Sequence, residues 1–190
     1  MARISYRKPA DIDDPECRDW LESAVENGKP GPEFQSIRSH VPGVMRSFTK
    51  TREWIYHDGY LDYDLKELIR AYIALSGDCT YCSNQGVARD FQADERRKAE
   101  LLGHDADSHT PRERIAMEYA DAIMWDPSTA DDAMWERLRA EFSEPELVEL
   151  GYWIGFTFGG QRWLKTLGAS QGQLAEAIDG DVTGFSTVGD

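Results

Sequence analysis

Residues 62–82 read DYDLKELIRAYIALSGDCTYC, and this stretch contains the features that decide the fold. Asp62 is an N-cap residue type, which predicts that a helix begins directly after it. The apolar side chains that follow recur at the three- and four-residue intervals of an amphipathic helix: Leu65, Leu68, Ile69, Tyr72 and Ile73. The pattern predicts a helix with one buried face.

The predicted helix is interrupted by Ser76-Gly77-Asp78, immediately before the sequence Cys79-Thr80-Tyr81-Cys82. Another helix is expected to run from about Thr80 to Phe91. Cys79 and Cys82 therefore flank the start of a helix, and they form a C-x-x-C pair.

The remainder of the chain contains similar signals for the start of helices, including proline at first helical positions and capping boxes. The expected helices are residues 15–27, 42–57, 111–125, 130–142 and 144–167, with a linker at residues 29–32. Alternating strand-like patterns are absent, so the sequence predicts an all-α fold. We expect a single domain over residues 1–179, with its core at about 42–168, and a flexible acidic tail at residues 180–190.

The last long helix is apolar nearly all round, because aromatic residues occur on every face between Trp153 and Trp163. Such a helix lies in the centre of a protein or against another subunit. A lone domain of 21.6 kDa can hardly cover it from all sides. We therefore expect a homo-oligomer.

The charge balance excludes several partners. The 190 residues contain 21 Lys and Arg and 35 Asp and Glu, giving a net charge of −14. Broad nucleic-acid binding and docking on an anionic membrane both need basic surfaces. No apolar stretch reaches the ~20 residues of a membrane span, and the first residues lack the apolar segment of a signal peptide. We expect a cytoplasmic protein.

Three cysteines do not make a disulfide framework, but the C-x-x-C pair can carry redox chemistry. A helix N-terminus favours the thiolate form, and two nearby thiols can act as nucleophile and resolving group. Cys17 stands alone and is interpreted as a buried core residue. A zinc site from Cys79, Cys82, His104 and His109 is the metal alternative, although its middle interval is longer than in the usual finger.

The residues around the pair resemble the alkylhydroperoxidase D-like and carboxymuconolactone decarboxylase-like superfamily. That family has a helical Glu, a twelve-residue step to C-x-x-C, and a His four residues after the second Cys. Glu67, Cys79 and Cys82 match the first two features. The opening Met1-Ala2-Arg3-Ile4 and the stretches 42–90 and 110–168 are also similar, so the resemblance covers most of the chain.

The resemblance implies a helical bundle and a thiol-dependent hydroperoxidase of peroxiredoxin type, without a cofactor or metal. By position, Cys82 would be the peroxidatic thiol, Cys79 the resolving thiol and Glu67 the relay acid. The implied partners are a hydroperoxide and a dithiol or thiol-protein reductant, and the implied assembly is a trimer or hexamer. Alternatives are a decarboxylase-like lyase acting on a lactone acid, or a non-catalytic redox-sensing or zinc-clipped oligomer.

One position departs from the family pattern, because Gly86 stands where the relay His is expected. Asn84 and Gln85 cannot shuttle protons, although His57 could replace the imidazole in space. Without that base, and with a carboxylate nearby, the thiol pKa should rise and peroxidase activity should be slow at neutral pH.

Two further residues near the pair have plain structural interpretations. Glu67 could instead be the acid of a capping box that begins at Asp64. Tyr81 is interpreted as packing or a pocket wall rather than a catalytic group.

Overall fold

The computed structural model describes residues 2–83 and 109–179, in which the secondary structure is helical without a strand. The all-α prediction is confirmed. The α-helices are α1 (Pro15–Asn27), α2 (Pro32–Arg38), α3 (Pro42–Thr51), α4 (Tyr63–Ser76), α5 (Thr80–Ser83), α6 (Pro111–Trp125), α7 (Asp132–Glu141), α8 (Glu144–Leu167) and α9 (Gln173–Asp179). Short 3₁₀ turns lie at Pro9–Asp11 and Pro127–Thr129.

The chain divides into two compact units. One unit comprises residues 1–50 and 163–190, and the other comprises residues 51–162. The single domain predicted over residues 1–179 stays a prediction. The predicted flexible tail at 180–190 lies outside the described residues.

Capping side chains explain why the helices begin where the sequence predicts. Asp14 accepts a hydrogen bond from the Cys17 backbone N–H at the start of α1. Asp62 accepts one from the Leu65 N–H at 2.7 Å, and it thereby begins α4. Thr110 forms a reciprocal capping box at the start of α6. Each cap pairs a backbone donor that the first helical turn would otherwise leave unsatisfied.

Two segments differ from the prediction. The short helix α2 begins at Pro32, inside the segment interpreted as a linker, and continues to Arg38. The predicted helix over residues 42–57 changes at Thr51 into a π-helical segment, Arg52–His57. Such wide helical turns are often found at functional sites.

The core of the 51–162 unit is built on the predicted apolar face of α4. All five residues of that face are buried. They pack with residues from α6, α7 and α8, which supply the other walls of the core: Ile115, Met117, Met134, Leu138, Leu150 and Ile154. The amphipathic pattern of α4 therefore does determine this core.

A buried ion pair fixes the π-helical segment to the helices beside it. Lys66 and Glu149 are 3.1 Å apart, with side chains only 1% and 4% exposed. The Lys66 ammonium also donates to the Ile55 carbonyl, and Glu149 accepts from the Tyr60 backbone N–H. Buried charges of this kind are tolerated because each one is paired and hydrogen-bonded.

The part of α8 that belongs to the 51–162 unit is only partly buried. Leu150, Trp153 and Ile154 are buried, whereas Val148 is 74% and Tyr152 54% exposed. The predicted apolar surface on several faces is therefore present. The oligomer inferred from it stays a prediction.

The other unit has a smaller core. Ile12, Leu21, Met45 and Leu174 are buried together with Cys17, which confirms the structural interpretation of that cysteine. Burial, followed by the neighbouring Asp14 carboxylate, raises the pKa of Cys17 to about 11.

Among the described residues, none of the helices combines the length and the apolar character needed to cross a bilayer.

Glu146 at the start of α8 should contribute a pH-dependent part of the stability. The Ser143 backbone N–H and hydroxyl lower the pKa of its carboxyl, and Arg112 adds to this. A lowered pKa contributes stability above the unfolded value of ~4.3, and this is lost as pH falls through the folded pKa. Glu146→Gln should therefore lower the free energy of unfolding at pH 7 by about 1 kcal/mol.

The measurement is chemical denaturation of wild type and variant at pH 7 and below pH 4, where the difference should shrink. Glu136→Gln, which changes an exposed glutamate of α7, is the matched control and should have little effect. A difference that grows in acid would contradict the proposed origin of the stability.

Candidate active site

The turn that ends α4 places Cys79 directly beyond the helix. Asp78 adopts a left-handed conformation with φ of 51°. Its backbone N–H donates to the Leu75 carbonyl at 3.0 Å, and the Cys79 N–H donates to the Ala74 carbonyl at 2.8 Å. These two bonds form a Schellman motif, in which an αL residue closes the helix end. Aspartate is among the side chains that tolerate this conformation.

Cys79 and Cys82 form a disulfide, with Cα atoms 5.3 Å apart. Both residues are only 5% exposed. Helix α5 begins at Thr80, as predicted, and the structure describes it as far as Ser83. The predicted continuation to Phe91 lies outside the described residues. The two thiols are therefore close enough to oxidise as a pair.

Glu67 is buried in the second turn of α4 and is 2% exposed. Because Asp62 is the N-cap, the alternative in which Glu67 closes a capping box from Asp64 is wrong. The two carboxylate oxygens of Glu67 accept from Arg70, from Nε at 2.8 Å and Nη2 at 2.6 Å. The Tyr56 hydroxyl also donates to this carboxylate.

Arg70 connects Glu67 to the cysteine pair. While Nε and Nη2 hold the carboxylate, Nη1 donates to the Cys82 carbonyl oxygen at 2.7 Å. Burial lowers the pKa of Arg70, but the bonds and charge of Glu67 outweigh it and raise that pKa overall. The guanidinium is therefore a permanent positive charge between the acid and the C-x-x-C backbone.

An aromatic wall supports this ion pair. The Tyr56 ring stacks on Trp153 with centroids 4.9 Å apart. The hydroxyl of Tyr56 lies 3.1 Å from that of Tyr63. Burial, followed by the charge of Glu67, raises the pKa of Tyr56, so it remains a neutral donor. The Arg52 guanidinium lies 4.9 Å from the centre of the Tyr56 ring.

His57 lies against the aromatic wall of the site, whereas several other residues considered for the site are not described. The exposed His57 ring packs on Tyr56 and Tyr63, with centroids 5.0 and 6.0 Å away. Asn84, Gln85, Gly86 and His104 lie outside the described residues. Within residues 2–83 and 109–179, no group of three His, Cys, Asp or Glu side chains could hold a metal ion.

The sequence interpretation overlooked Arg70 and Tyr56. A Glu-Arg pair three residues apart on a helix was a usable signal, because such side chains are neighbours. Tyr56 gave no comparable signal, since its contact with Glu67 depends on the path of the chain between two helices.

Solved structures share this fold. A peroxidase-related protein from Ralstonia eutropha JMP134, described as an alkylhydroperoxidase AhpD core, superposes with a TM-score of 0.72. It is 18% identical, over 90% of this chain and 92% of that one. The chain has the AhpD-like fold. This confirms the fold that the sequence resemblance implied.

Other solved structures are similar. A peroxidase-related protein from Silicibacter sp. TM1040 is 16% identical, with a TM-score of 0.68 over 90% of this chain and 95% of its own. A protein of unknown function from Agrobacterium tumefaciens, suggested to be the antioxidant defence protein AhpD, is 20% identical with a TM-score of 0.60, over 70% and 92%.

No family model matches the sequence. The uncharacterized protein YnjA of Escherichia coli K12 is 33% identical over 98 residues, which are 50% of this chain and 54% of YnjA. The chain therefore spans about half the length of this curated relative.

Proposed function

We propose that this AhpD-like protein is an antioxidant enzyme that reduces hydroperoxides with the Cys79/Cys82 thiols. The observation that carries the proposal is the buried Cys79–Cys82 disulfide tied by Arg70 to the buried acid Glu67. The names of the Ralstonia and Silicibacter proteins, both peroxidase-related, support it further.

The proposed reaction begins with both cysteines reduced. The Cys82 thiolate attacks one oxygen of the hydroperoxide, the O–O bond breaks, and the departing alkoxide takes a proton to become the alcohol. Cys82 is then a sulfenic acid. The Cys79 thiolate attacks its sulfur, and hydroxide leaves as water after protonation. A dithiol then reduces the disulfide, so the sum is hydroperoxide and dithiol to alcohol, water and disulfide.

The Glu67–Arg70 pair supplies the electrostatic setting for this chemistry. A carboxylate alone near Cys82 would raise the thiol pKa by like-charge repulsion. Arg70 offsets that charge, and its Nη1 donates to the Cys82 carbonyl oxygen, which holds the cation beside the Cys82 backbone. A nearby cation favours the thiolate. We propose that Glu67 acts mainly through Arg70, and as a relay acid through the Tyr56 hydroxyl.

The test is a single turnover of the reduced protein with one equivalent of cumene hydroperoxide, followed by mass spectrometry of free thiols. Two thiols should disappear for each peroxide consumed. The rate should rise from about pH 6 toward the free-thiol value of ~8.5, since the thiolate fraction grows over that range. Gly86→His should raise the neutral-pH rate by up to ~10²-fold if a relay base limits it. Disulfide formation with a partner protein but no peroxide consumption would instead indicate thiol–disulfide exchange.

We further propose a cytoplasmic homo-oligomer, a trimer or hexamer, that covers the exposed residues of α8. Val148 and Tyr152 supply the apolar surface. Light scattering at micromolar concentration should give a multiple of the 21.6 kDa chain mass. A monomer mass would reject this part of the proposal and leave the thiol chemistry untouched.

A further inference from the structure

Polar side chains on one face of α8 contact α4. The Trp153 indole N–H donates to the Lys66 carbonyl at 2.9 Å, and the Gln161 side-chain amide donates to the Arg70 carbonyl at 3.2 Å. Thr157 lies one helical turn from each of them, on the same face. Arg70 therefore contacts Gln161 through its backbone and Cys82 through its guanidinium.

Two buried oxygen atoms on this face have no hydrogen-bond partner among the described residues. They are Oγ1 of Thr157, a residue that is 6% exposed, and Oε1 of Gln161. A threonine hydroxyl on a helix can bond to a preceding carbonyl, as Thr166 does to the Trp163 carbonyl at 2.6 Å on the same helix. Thr157 does not use this option. Burying polar groups without partners is unfavourable, so two of them one turn apart need an explanation.

We propose that Thr157 and Gln161 bind the oxygen end of the substrate, an organic hydroperoxide, and of the alcohol product. This inference rests on the proposed function and names a substrate site for it. No additional redox step is involved, because the two side chains only hold the group that Cys82 attacks.

The chemistry of the two free oxygens selects the ligand. The amide oxygen of Gln161 only accepts hydrogen bonds, whereas the Thr157 hydroxyl both donates and accepts. A ligand group that donates one hydrogen bond to Gln161 and accepts one from Thr157 satisfies both side chains, as –OOH and –OH do. A carboxylate offers acceptors alone and would be repelled by the amide oxygen. The site thus favours hydroperoxides over the lactone acids of the decarboxylase alternative.

Thr157→Val tests the site because it replaces the hydroxyl with a methyl group of similar shape. If the hydroxyl is unpartnered in the free protein, the variant should melt at the same or a higher temperature than wild type. It should bind 2-phenyl-2-propanol about 5–10-fold more weakly, measured by calorimetry on the disulfide form of the full chain. The rate with cumene hydroperoxide should fall by a similar factor.

Two variants serve as controls. Thr157→Ser keeps the hydroxyl and should bind the alcohol like wild type. Thr166→Val removes a hydroxyl that is already paired, on an exposed part of the same helix, and should leave alcohol binding unchanged. Reaction of the reduced cysteines with an aromatic disulfide reagent, which offers no –OOH group, should be the same in Thr157→Val and wild type.

Each outcome either supports or rejects the proposed binding site. Unchanged alcohol binding in Thr157→Val would overturn the inference, and so would a lowered melting temperature, because the hydroxyl would then be paired inside the protein. Weaker binding with an undiminished melting temperature supports it. A wild type that binds the alcohol but never consumes peroxide would reject the proposed function, while the Thr157→Val comparison would still decide the binding site.

Discussion

Replacing Cys82 with serine is expected to reduce hydroperoxide turnover by about 10³-fold or more, because the hydroxyl is a far weaker nucleophile than a thiolate. The measurement is peroxide consumption with excess dithiol. The variant should also form no sulfenic acid when peroxide is added, as followed by trapping with dimedone and mass spectrometry.

Replacing Cys79 with serine should also abolish turnover, but with a different chemical result. Cys82 would still be oxidised once, and without a resolving thiol its sulfenic acid should accumulate. Dimedone should therefore label Cys79→Ser at Cys82. The matched control is Cys17→Ser, which removes a buried thiol whose pKa is raised to about 11, and it should leave turnover unchanged.

The assignment of the two thiols is open to direct contradiction. Dimedone labelling of Cys79 in the Cys82→Ser variant, with none in Cys79→Ser, would reverse their roles. Loss of turnover in Cys17→Ser would place the chemistry outside the C-x-x-C pair altogether.

Replacing Arg70 with methionine should have the second large effect. Its guanidinium neutralises Glu67, whose side chain is 3% exposed, so the variant leaves a buried carboxylate without its cation. Losing one partner of a buried ion pair typically lowers the free energy of unfolding by about 3–5 kcal/mol. Chemical denaturation should show this loss. Peroxide turnover should fall as well, since the cation near Cys82 is removed.

A second substitution separates these two effects. Arg70→Met combined with Glu67→Gln removes both charges, and it should recover most of the stability but not the peroxide rate. Arg137→Met breaks the more exposed ion pair with Glu118 at 2.7 Å, and it should cost about 1 kcal/mol or less. If the double variant regained the wild-type rate, the pair would be structural only.

The fold was largely predictable because most helices begin at strong local caps and bury apolar faces. Helix α2 was not predictable, because its buried residues include Glu33, Gln35 and Arg38. Buried polar residues produce no hydrophobic periodicity. The change to π-helical geometry at Thr51 is likewise invisible in the sequence. There the buried Lys66–Glu149 pair, rather than local propensity, fixes the path of the backbone.

The candidate site was predictable where the residues are close in sequence. Cys79, Cys82 and Glu67 are set by the spacing along α4 and the turn that ends it. Tyr56 and Thr157 could not be predicted as site residues, because their positions depend on how separate helices pack. Lone tyrosines and threonines carry no chemical signature without that packing.

Helix α4 and the Schellman turn at Asp78 together fix the spacing between Glu67, Arg70 and Cys79. From Glu67 through Arg70 to Cys79 the distance is set by one continuous helix and one fixed turn. Inserting a single residue there would rotate everything beyond it by about 100° and detach the guanidinium from Cys82. Sequence searches for this interval, with arginine three places after the glutamate, should therefore find chains that build the same arrangement even where overall identity is low.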